Sequence, residues 1–460
     1  MTTSDVSTGV RSTALGRSLG VMDLTFLVVG TVIGSGIFLV PSVVLRQAGL
    51  SMPLALLVWT LGGVLSLLGA LTYAELGAMY PDAGGLYTYI RGAFGALPAF
   101  LYGWTSFFVI ASGSVATLAV AFATYSSQIV PLGPGGRKVI AVLVILVTTA
   151  VNVRSTKRSS LVQGWTTSLK VLALVALSLA MIALGHHGSA SNSPTSFGSA
   201  TIRMGIGSAM ISVLWAYEGW QYVTFSAGEA RNPQRSFPRA IATGTLVLIG
   251  IYLLANLGYV SALGAPALGS SDHVAVDAVR VVAGSSAGMI VGALILVSIF
   301  SAANGLMMTA PRLYFAMARD GVFFKSLAAV NPRFGTPALA ILATALWSTI
   351  LAVSGTFEQL LTYVVFTGWI FYALGGVSIF VYRRIRPDLD RPFRVPGYPI
   401  TPVLFVTAAA ALVLDTLWHQ PQRAAFGIAA VIVGVPAFYA WSRAARRSPA
   451  ASIHPGEVNS

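Results

Sequence analysis

Apolar stretches long enough to cross a lipid bilayer recur along this chain from about residue 22 to about residue 442, separated only by short polar joints. A crossing helix needs about 20 predominantly apolar residues. Twelve candidate spans approach or meet that length, at roughly 22–45, 51–77, 97–130, 137–153, 160–184, 205–227, 238–264, 285–318, 337–354, 358–382, 399–418 and 423–442. In the hydrocarbon core every backbone polar group must find its partner within the protein, so continuous runs of this kind predict helices. A spanning barrel would instead alternate apolar and polar residues over about 10 positions per strand. The expected class is therefore an all-α polytopic membrane protein of twelve transmembrane helices.

Only 9% of the residues are charged, against about 25% in a soluble domain. The formal net charge of +14 would point to nucleic acid in a soluble protein, but here it has another source. With the N-terminus inside, twenty-one of the 28 Lys and Arg residues fall on the inner side and six on the outer, leaving Lys170 within the fifth span. Basic residues favour the cytoplasmic face, so both termini are expected to be cytoplasmic. No nucleic-acid partner is expected; lipid is the surrounding medium. Residues 1–20 carry Arg11 and Arg17 but lack the apolar core and cleavage site of a signal peptide, so the first helix is expected to insert uncleaved. There is no cysteine, which excludes disulfides, thiolate metal sites and thiol catalysis. The five histidines lie in loops, at helix ends or in the tail without ligand spacing, so no metal site and no cofactor are expected. No phosphate-cradling glycine loop and no nucleophile–base constellation appears either, which argues against an ATP-driven pump and against an enzyme.

Two spans carry interruptions. The first reads Gly30-Thr31-Val32-Ile33-Gly34-Ser35-Gly36-Ile37-Phe38, and the sixth reads Trp215-Ala216-Tyr217-Glu218-Gly219-Trp220. They are five helices apart, an odd offset, so equivalent helices run in opposite directions. The expected organisation is a tail (1–20), a first repeat (21–184), an inverted second repeat (205–384), two further helices (398–443) and a second tail (444–460). Broken helices at matching positions of two inverted halves are a sequence pointer to a binding site at mid-membrane. Around Ser35, Gly36 and Ile37 a restarting helix would offer free N–H groups and its positive end to a carboxylate, while carbonyls near Ile33 suit an ammonium group. The plainer reading of Gly30 and Gly34 is a small-residue packing face. In the sixth span Gly219 can relax the helix, and Trp215, Tyr217, Trp220 and Tyr222 supply amphipathic aromatics that also serve as packing.

Two charges within spans are candidates for function, because ionisable groups at that depth are costly. Glu218 can bind a cationic group, carry a proton, or sit neutral against a neighbouring carbonyl. Lys170 lies about ten residues into its span, roughly 15 Å deep. It reads as a fixed cation replacing a coupling sodium, as a titrating proton carrier, or as a lysine in a wet vestibule. Ser298, Ser301 and Asn304 share one face of the eighth span and are expected to supply polar partners for Lys170, with ordinary interhelical hydrogen bonding the alternative.

Several further stretches complete the pattern: Tyr73-Ala74-Glu75-Leu76-Gly77, Gly84-Gly85-Leu86-Tyr87, Asn232 to Ile241, and Arg312-Leu313-Tyr314 leading to Ala318-Arg319-Asp320-Gly321. With the two interrupted spans, they make the chain resemble the amino acid–polyamine–organocation superfamily, in the branch of L-type amino acid transporters and their bacterial relatives. The resemblance implies a five-plus-five inverted repeat with two extra helices and alternating access around the two breaks. It implies a substrate α-carboxylate at the amides of Ser35 and Gly36, and an α-amino group at the carbonyls of Ile33, Trp215, Ala216 and Glu218. It also implies a gating aromatic at Trp215, a lysine at Lys170 in place of the second sodium ion, and a seventh-helix tyrosine near the site, matched loosely by Tyr259. Glu218 departs from the small residue of many L-type relatives. The expectation is a sodium-independent secondary amino acid transporter of a bacterial-type inner membrane, working by exchange or proton-coupled uptake. A polyamine or cationic amino acid carrier is the alternative, and an ion channel or receptor the alternative from another class. A partner subunit is left open, except that no disulfide can tie one on.

Overall fold

The computed structural model describes residues 16–127, 129–185 and 199–447. Most of both tails, including Arg11, and residues 186–198 lie outside the described residues. Among those described there is no β-strand, only one isolated bridge between Leu19 and Ala230. In chain order the helices are α1 (Val21–Val32), α2 (Gly36–Gln47), α3 (Met52–Met79), α4 (Leu86–Phe94), α5 (Ala96–Thr105), α6 (Ala111–Ser126), α7 (Pro134–Arg154), α8 (Thr156–Leu184), α9 (Ser199–Ala216), α10 (Pro233–Ser270), α11 (Val274–Ala283), α12 (Ser285–Arg319), α13 (Ala338–Ser354), α14 (Phe357–Ile385), α15 (Ile400–His419) and α16 (Pro421–Arg447). A π-helical turn, Ser106–Ile110, joins α5 to α6, and a 3₁₀ segment, Trp220–Glu229, follows α9.

Among the described residues nine helices are long and apolar enough to cross a membrane, and ten if the bent pair α1–α2 is one span. The expected sixth and ninth spans fall short of that standard for physical reasons. The sixth is broken after Ala216, and α13 has 17 residues, near the lower limit for a crossing. Each expected span nevertheless coincides with helix. The short α4 and α11 were not expected. Each is strongly amphipathic in sequence, and neither is long enough to cross.

The two broken elements occupy the middle of the bundle. The helix α1 packs against α8, α10, α12 and the 3₁₀ segment, and α2 packs against α9. By contrast α16 lies on the flank against α5 and α14 and keeps Phe426, Ile432, Val433 and Tyr439 exposed. That is the pattern expected where lipid rather than water covers the surface. The innermost stretch of α12, from Ser301 to Ala318, is buried on all faces.

Candidate functional site

The first break begins where Ile33 makes the last regular bond, its N–H donating to Val29 O at 3.0 Å. The Gly34 N–H turns back to Val32 O (2.8 Å), and α2 restarts at Gly36 with a bend of 46° between the two axes. Ser35 caps the new helix through its carbonyl, which accepts from Phe38 N and Leu39 N at 3.2 Å each. The N–H groups of Ser35, Gly36 and Ile37 find no backbone or side-chain acceptor among the described residues, and the buried Ser35 hydroxyl has no partner. Three unused donors at the positive end of a helix form a ready anion site. Glycine is needed at position 36 because a Cβ there would stand 2.6 Å from Ala216 Cα.

The second break faces the first. After Ala216 the chain makes an irregular turn in which Tyr217 N donates to Val213 O and Glu218 N to Trp215 O, each at 3.0 Å. Gly219 has φ +129°, a conformation closed to residues with a Cβ, and then the 3₁₀ segment begins. Two side chains tie the breaks together. Thr31 Oγ1, whose one proton has its shortest acceptor in Leu27 O (2.6 Å), also lies 3.2 Å from Gly219 O, and the Tyr252 hydroxyl of α10 lies 3.1 Å from Val32 O and 2.8 Å from Ala216 O.

Between the breaks lies one cavity, lined by Thr31, Val32, Gly34, Ser35, Gly36, Ser114, Leu118, Trp215, Glu218, Gly219, Tyr222 and Leu306. It is small, about 20 Å³, the room of about one water. Ser35, Gly36, Trp215, Glu218 and Gly219 are therefore brought together as the sequence pattern suggested. The Glu218 carboxylate accepts from Tyr372 Oη at 2.6 Å and from Gln221 Nε2, and the Gln221 amide also reaches Tyr372 Oη at 2.7 Å. Neither Glu218 nor Lys170 enters any ion pair among the described residues. A buried carboxylate held only by neutral donors, at the edge of a cavity, is an unused counter-charge.

Lys170 Nζ donates to Gly30 O and Ile33 O, both at 2.6 Å, so its ammonium caps the carbonyl end of α1. This favours a cation electrostatically, since the C-terminal end of a helix is its negative pole. Several expected contacts differ. The Ile33 carbonyl also accepts from Ser298 Oγ at 3.0 Å, so both its lone pairs are taken and it is not open to a substrate ammonium. Ala216 O is covered by Tyr252, and Trp215 O by Glu218 N. Ser301 pairs with Thr166 (2.9 Å), and Asn304 joins Asn152 and Gln163. Of that expected trio only Ser298 meets Lys170, and it does so through the shared Ile33 carbonyl. The Tyr217 ring turns away to pack on Trp59 and Tyr252. Tyr259 lines a different small cavity beside Phe38 and Lys170, and its hydroxyl has no partner. The tyrosine of α10 that meets the breaks is Tyr252, seven residues earlier and so about two helical turns along the same face. Sequence reasoning also missed Thr31, Ser114, Gln221 and Tyr372. Their only signal was polar residues buried in apolar spans.

The profile of the amino acid permease family matches residues 19–438. The chain belongs to the amino acid permease family. This permease is 35% identical over 419 residues to the human b(0,+)-type amino acid transporter 1, covering 89% of this chain and 85% of that one. It is 30% identical over 428 residues to the serine/threonine exchanger SteT of Bacillus subtilis strain 168 (92% and 97%), and 32% identical over 447 residues to the mouse large neutral amino acids transporter small subunit 2 (95% and 83%). All three are transporters, which sets the enzyme reading aside.

The two ends of the permease differ. At the end carrying Leu19, Arg312 is buried with Glu229 (Nε to Oε1 2.7 Å) and Thr156 (3.0 Å). The Glu229 carbonyl accepts from Ser18 N and Leu19 N, at 2.8 and 2.9 Å. Nearby, Glu75 binds Arg383 (2.7 Å) and the amide of Val395 (2.7 Å), and Asp320 binds Arg91 and Tyr87. Glu75, Arg312 and Asp320 come from the remaining sequence stretches, and their ion pairs tie separate helices together at this end. The opposite end holds a cavity of about 460 Å³ between α2, α6, α9 and α14. Trp215 and Phe357, edge to face at 6.4 Å, separate it from the small cavity at the breaks.

Proposed function

We propose that this permease is a sodium-independent secondary transporter of amino acids, working by alternating access through exchange or proton-coupled uptake. In this reading twelve helices cross a bacterial-type inner membrane, ten of them as a five-plus-five inverted repeat, with both termini cytoplasmic. The observation that carries it is the meeting of the two breaks: Ser35 and Gly36, with their unused amides and the Ser35 hydroxyl, line one cavity together with Trp215 and Glu218. The amides take the carboxylate of an amino acid, and Trp215 stands over it as a gate. Lys170 holds the carbonyl end of α1 with its own cation, which supports transport without sodium. A relative named as an exchanger supports exchange.

Glu218 favours a second reading of the cargo. It lines the cavity and has no cationic partner among the described residues, so a cationic amino acid could supply the missing charge. Counterflow of labelled leucine, serine and lysine into proteoliposomes tests both readings. Saturable exchange in sodium-free buffer is expected, with lysine among the accepted substrates on the second reading. A strict sodium requirement would overturn the ion assignment, and an absence of counterflow with every amino acid would overturn the function.

A further inference from the structure

The cavity of α2, α6, α9 and α14, at the end opposite Leu19, has features of a binding site in its own right. Its volume, about 460 Å³, falls within the range of small-molecule sites, roughly 300–1,000 Å³. Its walls carry both signs of charge. Arg46, in the last turn of α2, is fixed at the rim by one bond from Nη1 to Gly269 O (2.6 Å), which leaves the rest of its five N–H donors unused. Asp272, on the loop before α11, lines the same cavity and makes no ion pair or hydrogen bond with any described residue. Gln47 adds a buried side-chain oxygen without a donor. The floor is closed by the Trp215–Phe357 contact, on whose far side lie the Ser35 and Gly36 amides.

We propose that this vestibule is a second, shallower amino acid site, in which Arg46 takes the carboxylate and Asp272 the ammonium group before cargo passes Trp215. The chemistry selects a small zwitterion. Arginine offers a fork of donors that matches a carboxylate, and an unpaired aspartate lining the same cavity disfavours a plain anion. Both charges are exposed, so each contact is weak. That suits a waiting position, since a tight one would hold the cargo back. The proposal rests on the reading of the permease as an amino acid transporter.

The test uses the full chain in proteoliposomes, with labelled leucine, serine and lysine presented to one face at a time. For Asp272→Asn and Arg46→Gln the half-saturation concentration is expected to rise about five-fold for cargo entering from the vestibule face, equivalent to about 1 kcal/mol. From the opposite face it stays as in the parent, and the maximal rate changes less than two-fold. Because the chain has no cysteine, Asp272→Cys introduces the sole thiol. An anionic thiosulfonate adduct on it is expected to restore the parent value, and a cationic adduct is not. If parent transport is robust and the variants leave both faces unchanged, shift both equally, or respond alike to the two adducts, the vestibule site is refuted while the transporter reading stands. If the parent moves no amino acid at all, both fall together.

Discussion

Tyr252→Phe removes one oxygen and leaves the ring where it is, against Trp59 (centroids 5.6 Å) and Tyr217 (4.9 Å). Among the described residues, the lost hydroxyl is the only side-chain group that reaches both Val32 O and Ala216 O, the carbonyls on either side of the meeting point. Its single proton is shared between them, so the loss is closer to one buried hydrogen bond than to two. Leaving a buried acceptor without its donor costs about 1–3 kcal/mol. If this hydroxyl holds the two breaks in the arrangement that forms the cavity, the same energy appears as about a 5- to 150-fold weakening of cargo binding. Thermal unfolding of the purified permease should fall by several degrees, and added leucine, serine or lysine should stabilise the variant less than the parent. Tyr259→Phe is the control, since that hydroxyl has no partner to lose, and it should leave both measurements unchanged. If Tyr252→Phe matched the parent in stability and in counterflow, or if Tyr259→Phe were the damaging change, the assignment of Tyr252 as the clasp between the breaks would be wrong.

Lys170→Ala is expected to reduce counterflow at least 100-fold, because Gly30 O loses the donor described here and Ile33 O keeps only Ser298; undiminished exchange would remove the lysine from the coupling scheme. Glu218→Gln keeps the contacts to Tyr372 and Gln221 within reach but removes the charge, and should lower the preference for lysine over leucine about ten-fold or flatten the pH dependence of uptake; unchanged profiles in competition assays would reduce the residue to packing. At the end carrying Leu19, Arg312→Met strands the buried Glu229 carboxylate and should destabilise the protein by about 3–5 kcal/mol. Pairing it with Glu229→Leu should recover most of that loss in the same unfolding assay; equal damage from the single and double variants would argue against the ion pair as the cause.

Much of the fold was legible because the governing requirement is crude. A bilayer asks for length and apolarity, and both can be counted along the chain. The two breaks were legible for a similarly local reason: glycines at positions 34, 36 and 219 and a carboxylate at position 218 are out of place in an uninterrupted apolar helix. What stayed hidden depended on who reaches whom across the bundle. The sequence shows that Ile33 ends a helix with a free carbonyl, but not that Lys170 and Ser298, from two other helices, converge on it. Tyr252 and Tyr259 share a helical face, so no pattern of faces could choose between them; only depth in the bundle does. Thr166, not Lys170, meets Ser301 because a shift of one turn along α8 changes which side chain is opposite. Glu75, Arg312 and Asp320 were conspicuous in the sequence stretches, yet their partners lie 83 to 320 positions away, beyond any local rule.

The tightness of the cavity between the breaks has one more consequence. If this cage is the amino acid site proposed above, its room for a single water means that an arriving molecule must first prise its walls apart. On that reading the work of expansion grows with the guest's bulk, while the hold on a carboxylate at the Ser35 and Gly36 amides does not. Such a cage sorts guests by how far they force it to yield, and a snug small guest lets it spring back soonest.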